Sequence, residues 1–209
     1  MKPMPKNEWR KSIEPRIDEA RSALAAIPEK ELARRSGAVH RDGRLSIPVL
    51  GHATSVHLPE LVAHAADGSV CPEETQILLL DYLIRSDGAS PSGEWIGFQE
   101  LPNGGFYRQA FQGYTGDRLV QEIGGDIEAF RRAAKALGGE AVALGDAAYA
   151  FRVLPLVPLA VVWWDGDEEF PPNATVLFDR VAQHSLPTDG LAILGRMLCR
   201  ALGTAGGSR

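Results

Sequence analysis

Residues 159–179 read LAVVWWDGDEEFPPNATVLFD, and this stretch limits the fold more than any other. Two apolar runs of strand length lie on either side of a short segment dense in Asp, Glu, Gly and Pro. Parallel strands need a crossover of about a dozen residues or more, usually a helix. The short connection therefore predicts an antiparallel pair with the acids at its turn.

The same pattern recurs upstream. Leu45, Ile47 and Val49 alternate, Gly51 breaks the run, and residues 54–58 follow as a partner strand. Residues 95–101 and 106–111 read as two more strands joined through Pro102-Asn103-Gly104-Gly105, and residues 149–154 lead into the opening stretch. Helical periods separate these segments. Trp9, Ile13, Ile17 and Leu24 recur at helical spacing over residues 7–25, with Pro15 as an interruption. A short helix over 29–35 ends at Gly37. Cys71-Pro72-Glu73-Glu74 opens a helix that is apolar on nearly every side and ends at Asp87-Gly88. Asp117 and Asp126 stand at N-cap positions, Gly138-Gly139 stops the second of those helices, and Thr188-Asp189 starts a last one. Strands and helices are mixed without a regular βαβ rhythm. The expectation is an α+β fold, an antiparallel sheet with helices packed on it, preceded by N-terminal helices. The division expected is a helical segment over 1–37, one α+β domain over 38–203, and a flexible tail over 204–209.

Composition narrows the function. The chain has 209 residues, 44% of them hydrophobic, and a net charge of −5, which suits a single well-filled core. That charge is uneven: residues 1–44 carry 11 Lys+Arg against 7 Asp+Glu, and the remainder carries 11 against 20. An acidic body disfavours nucleic acid, which rewards clustered Lys and Arg. No apolar stretch approaches the length of a membrane span, and the longest, 154–164, is broken by Pro155 and Pro158. The charged, proline-rich start has no apolar h-region of a secretory signal. Two cysteines, Cys71 and Cys199, are far apart and expected to be reduced, so a cytoplasmic location is expected. They are too few to hold zinc or an iron–sulfur cluster by themselves.

Three groups of residues carry candidate chemistry. Asp165, Asp167, Glu168 and Glu169 crowd the predicted turn, and Asp179 closes the next strand. If the strands pair so that Asp179 nears the base of the turn, these carboxylates can hold Mg²⁺ or Ca²⁺, or divide their pKa values for acid–base work. The alternative is a solvated hairpin tip. His52, His57 and His64 lie within thirteen residues, with His40 nearby. Imidazole ligates zinc, iron and haem, but on one strand His52 and His57 point to opposite faces. A single axial ligand fits better than a ready three-histidine site. Trp95, Phe98, Phe106, Tyr107, Phe111, Trp163 and Trp164 fall on predicted strands or their ends. They can line a pocket for a flat cofactor, or fill the core. No GxSxG, GxGxxG or P-loop string occurs, so no catalytic residue is assigned. Cys71 precedes a helix N-terminus, where a thiolate is stabilised; a buried or capping thiol is the plainer reading.

The run GEWIGFQEL, the later Gly145-Asp146, then LPLVPLAVVWWDGDEEFP, LFD and SLP in that order resemble the prokaryotic domain-of-unknown-function family 3786, over residues 30–202. Such proteins occur mainly in anaerobic bacteria and archaea. Some relatives carry an N-terminal cysteine-rich iron–sulfur module similar to that of corrinoid iron–sulfur proteins. The resemblance implies corrinoid or other one-carbon chemistry as a setting. It also implies an iron–sulfur or corrinoid protein as partner, because residues 1–44 contain no cysteine. Three functions are then expected in competition. The first is a cofactor-binding or accessory protein for a tetrapyrrole, corrinoid or haem, using His52 or His57 with Trp95, Phe98, Tyr107 and Trp164. The second is a divalent-metal enzyme using Asp165, Asp167, Glu168 and Asp179. The third is an adaptor whose basic N-terminal helices dock on an acidic protein.

Overall fold

The computed structural model describes residues 6–207, with side chains from residue 15 onward. Trp9 and Ile13, two of the four residues that mark the first helical period, therefore have side chains outside the described residues, as do residues 208–209 of the expected tail. Helix α1 (Lys6–Ala25) runs through Pro15. Ile17, Ala20 and Leu24 from its second half enter the common core. Helix α2 (Glu29–Ser36) ends at Gly37 in the left-handed conformation, the C-cap geometry that glycine accepts without strain.

A small antiparallel sheet follows, in the order β1 (Val39–Arg41), β2 (Arg44–Ser46), β3 (Thr54–His57), β4 (Val62–Ala65). Its residues alternate as a half-buried sheet requires. Leu45, Val56 and Ala63 pair across the strands and are buried, while the positions between them face outward. Helix α3 (Glu73–Arg85) packs beneath, with Ile77, Leu78, Leu79, Leu80, Tyr82 and Leu83 all buried. The Tyr82 hydroxyl donates to the Ser36 carbonyl at 2.6 Å and accepts from the Leu156 amide at 3.1 Å. One phenol thus ties α2 to the second sheet, and burial pushes its pKa up to about 12.

The second sheet is also antiparallel: β5 (Trp95–Gly97), β9 (Asn173–Asp179), β8 (Val157–Trp164), β7 (Ala147–Leu154) and β6 (Glu140–Ala141), in that order across the sheet. Its core face carries Tyr149, Phe151, Leu159, Val161, Trp163, Val176 and Phe178. Helices α5 (Gly116–Ile123), α6 (Ile127–Ala136) and α7 (Thr188–Gly207) lie over that face. Leu191, Leu194, Leu198 and Leu202 of α7 are at most 1% exposed. Each buried leucine of this kind stabilises the fold by roughly 1.5–3 kcal/mol. Asp126 caps α6 by accepting from the Glu128 and Ala129 amides, whereas Asp117 lies inside the first turn of α5 and accepts from Gln112. Helix α7 continues to Gly207, so residues 204–207 are helical.

One expected strand is absent. After β5 the chain makes a 3₁₀ turn (Phe98–Glu100) and then helix α4 (Gly104–Tyr114), which holds the expected strand 106–111. Phe and Tyr favour strands locally, but Phe111 stacks on Phe98 at 4.0 Å and packs against Phe178. That cluster forms only if residues 104–114 coil back over β9, and tertiary packing overrides the propensity.

Candidate functional site

The acidic residues sit at the β8–β9 connection, as the sequence implies, and they are exposed. Their hydrogen bonds run to the backbone of the turn itself. Asp167 accepts from the Glu169 and Phe170 amides, both at 2.8 Å, and these bonds hold its carboxyl below the usual carboxylate range. The Asp165 amide donates to Asp146, and its carboxylate accepts from the Gly166 amide. These are turn-forming uses of short acids. Behind the turn, a hollow of about 370 Å³ is lined by Arg131 and residues 141–149. Its single acid is Asp146, already committed to the Asp165 amide.

Asp179 does not join them. The register pairs Trp164 with Asn173 next to the turn, and Asp179 with Trp95 at the other end of β9. Six residues of strand separate the two ends by about 20 Å. The proposed set of Asp165, Asp167, Glu168 and Asp179 is therefore not one site. Asp179 is fully buried and accepts from the Ser92 amide and hydroxyl, the Gly93 amide at 2.7 Å and the Val181 amide at 2.9 Å. It pins the 86–94 loop to the start of the 3₁₀ turn Arg180–His184. Among the described residues, no three His, Cys, Asp or Glu side chains stand together as metal ligands do.

The histidines divide differently from the expectation. His52 is exposed in the turn before β3 and bridged to Val49. His57 instead stacks on His64 across β3 and β4, ring centroids 4.0 Å apart. His57 Nε2 lies 3.2 Å from the Ser55 hydroxyl and His64 Nδ1 lies 3.2 Å from the Val62 carbonyl. Partial burial, then the neighbouring His64 and Arg44, push the His57 pKa down. His40 points to the other side, 2.9 Å from Glu29.

The aromatic residues do not form a shared pocket either. Phe98 and Phe111 are buried against each other, and Trp163 is buried on Phe130. Trp95 and Trp164 are at opposite ends of β9, by the same register that separates Asp179 from the turn. Tyr107 is 61% exposed on α4, beside Phe106 at 88%. Of the eleven residues of α4, only Gly104 and Phe111 are buried. Phe106, Tyr107, Ala110 and Tyr114 follow helical spacing along its open side. The sequence held that signal, spaced at three and four, but the β-forming character of Phe-Tyr concealed it.

Both thiols are buried and free, and burial raises the pKa of each. Cys71 gains nothing from the helix that follows it. Ellman's reagent at pH 8 should react with neither cysteine in the native protein and with both in denaturant, since only an exposed thiolate reacts.

Fold and geometry together define an α+β protein of two antiparallel sheets. Its clustered acids form turns and caps, and its exposed aromatic side chains include Phe106 and Tyr107 on helix α4. A family model described as Domain of unknown function (DUF3786) matches residues 29–201, and the chain belongs to that family. The boundaries differ by one residue at each end from those of the resemblance read from the sequence. No curated protein and no solved structure matches the chain. Among the described residues, no helix is long and apolar enough to cross a membrane.

Proposed function

We propose that the protein is a non-catalytic accessory protein that docks on a partner protein through α4. One observation carries this reading: Phe106 and Tyr107 stand exposed side by side on a helix that contributes little else to the core. Large aromatics and arginine dominate the energetics of protein interfaces, particularly where they enter a partner's pocket. Arg108 is the only charged residue of α4. The matching surface is an apolar groove with a carboxylate on its rim.

The setting implied by the sequence resemblance makes a corrinoid or iron–sulfur protein the partner to test first. This chain has only two cysteines, and both are buried, so a cluster belongs on the partner.

Native mass spectrometry of untagged protein, produced and purified without oxygen, tests the proposal. The expected result is a heteromeric mass that Phe106→Ser with Tyr107→Ser abolishes while the melting temperature stays unchanged. A corrin- or haem-sized excess on the single chain that survives both substitutions would establish the cofactor-binding function instead. A single divalent ion bound to the chain would favour the metal enzyme.

A further inference from the structure

The outer face of the β1–β4 sheet carries a charge pattern that the core does not require. Strand pairing places Arg41 opposite Arg44, Arg44 opposite His57, Ser46 opposite Ser55, and Ser55 opposite His64. These six side chains therefore project from one surface, since residues directly opposite in a sheet share a face. Val39 and Val62 occupy its two remaining positions. Four of the eight outward positions are basic and none is acidic. Both arginines are exposed and the two histidines are partly exposed. Among the described residues, neither arginine takes part in an ion pair or a side-chain hydrogen bond.

Such a face is unfavourable unless something anionic covers it. Like charges directly opposite across strands destabilise a sheet, and here Arg41 faces Arg44 while Arg44 faces His57. Stacked imidazoles 4.0 Å apart likewise resist a second proton. The face lies on a chain whose net charge is −5, so its sign is opposite to that of the whole molecule. A metal cation is the wrong occupant, because two guanidinium groups beside the imidazoles would repel it. Nucleic acid fits less well than protein. The face offers no Phe, Tyr or Trp for base stacking, and its two imidazoles are already stacked on each other.

We propose that the outer face of β1–β4 is a docking surface for an acidic polypeptide segment, held by Arg41 and Arg44 and gated by the His57–His64 pair. Carboxylates of the partner would lie over the arginines and across the serine hydroxyls. Protonation of His57 would add charge to the face. The groups facing that pair are Arg44 from β2, Ser55 and Ser46 along the neighbouring strands, and Glu60 in the β3–β4 turn. Glu60 alone favours the protonated form of His57, and Arg44 opposes it. Because the net effect lowers the His57 pKa, binding strengthens mainly at the acid end of the range from pH 8 to 5.5, while the partner's carboxylates are still largely ionised.

The test is fluorescence anisotropy of a fluorescein-labelled deca-glutamate peptide with the full-length protein at 50 mM salt. The expected result is binding about tenfold tighter at pH 5.5 than at pH 8, weakened at least tenfold by Arg41→Glu with Arg44→Glu. His57→Gln with His64→Gln should flatten the pH profile yet leave binding at pH 8 in place. All four positions face outward, so unchanged melting temperatures would show that the variants fold. Absence of peptide binding at both pH values, or affinity unaffected by the arginine reversals, would overturn the proposal. So would tighter binding of an oligouridylate than of the peptide at the same salt.

Discussion

Asp179→Ala is expected to destabilise the protein by about 4 kcal/mol, which for a domain of this size lowers the melting temperature by roughly 8–16 °C. The physical reason is the donor set around the carboxylate. Three backbone amides, of Ser92, Gly93 and Val181, and the Ser92 hydroxyl point at one fully buried side chain. Alanine would leave those donors dry and unpaired. Burying an amide without a partner costs about 1–3 kcal/mol each, with some recovery as water enters or the loop shifts. Asparagine would keep the bonds to one oxygen and set its amide against the Gly93 N–H, so Asp179→Asn should cost about 2 kcal/mol, between wild type and alanine. A metal-ligand role predicts another order: without metal, neutralising a carboxylate in an acidic cluster relieves repulsion. Thermal denaturation in EDTA distinguishes the two. A stability of Asp179→Asn at or above wild type would contradict the hydrogen-bonded role.

Gly104→Ala should have the second largest effect, a loss of about 3 kcal/mol and, with it, docking through α4. A Cβ at this position would overlap the Phe98 carbonyl oxygen, which belongs to the 3₁₀ turn on which α4 begins. Neither backbone segment can move freely. Phe98 is stacked on Phe111, and the turn is held by the Glu100 carboxylate on the Gly97 amide at 2.7 Å. Relief must come from displacing α4, which would carry Phe106 and Tyr107 with it. Gly105→Ala is the matched control: a Cβ there meets nothing closer than 3.9 Å, and its residue is exposed. Chemical denaturation of the two variants should separate them clearly; equal stabilities would mean that the 98–104 contact has no constraining role.

How much of this was legible beforehand differs by element. The strands within 149–154, 157–164 and 174–178 are plain in the sequence because apolar runs of strand length are joined by short connections. Helix α3 is plain because its apolar run is long and its opening carries proline and acids. The 106–111 segment reads as a strand when only neighbours along the chain are considered, because Phe and Tyr favour strands. The acidic turn was correctly placed, and the sequence left its chemistry open between a metal site and a hairpin tip, since a carboxylate looks the same in sequence whether it binds a metal or an amide.

The sequence by itself determined the α+β class, the antiparallel pairing around residues 165–172, and the family to which residues 29–201 belong. These follow from periodicity and local turn chemistry, which are properties of adjacent residues. Tertiary structure alone decided which distant groups meet. Register sent Asp179 to the far end of β9 from the turn, strand pairing set His64 rather than His52 against His57, and packing on Phe98 and Phe178 turned an expected strand into the exposed helix α4. Each is a contact between residues remote in the chain or a choice of pairing register, and one-dimensional pattern does not encode either.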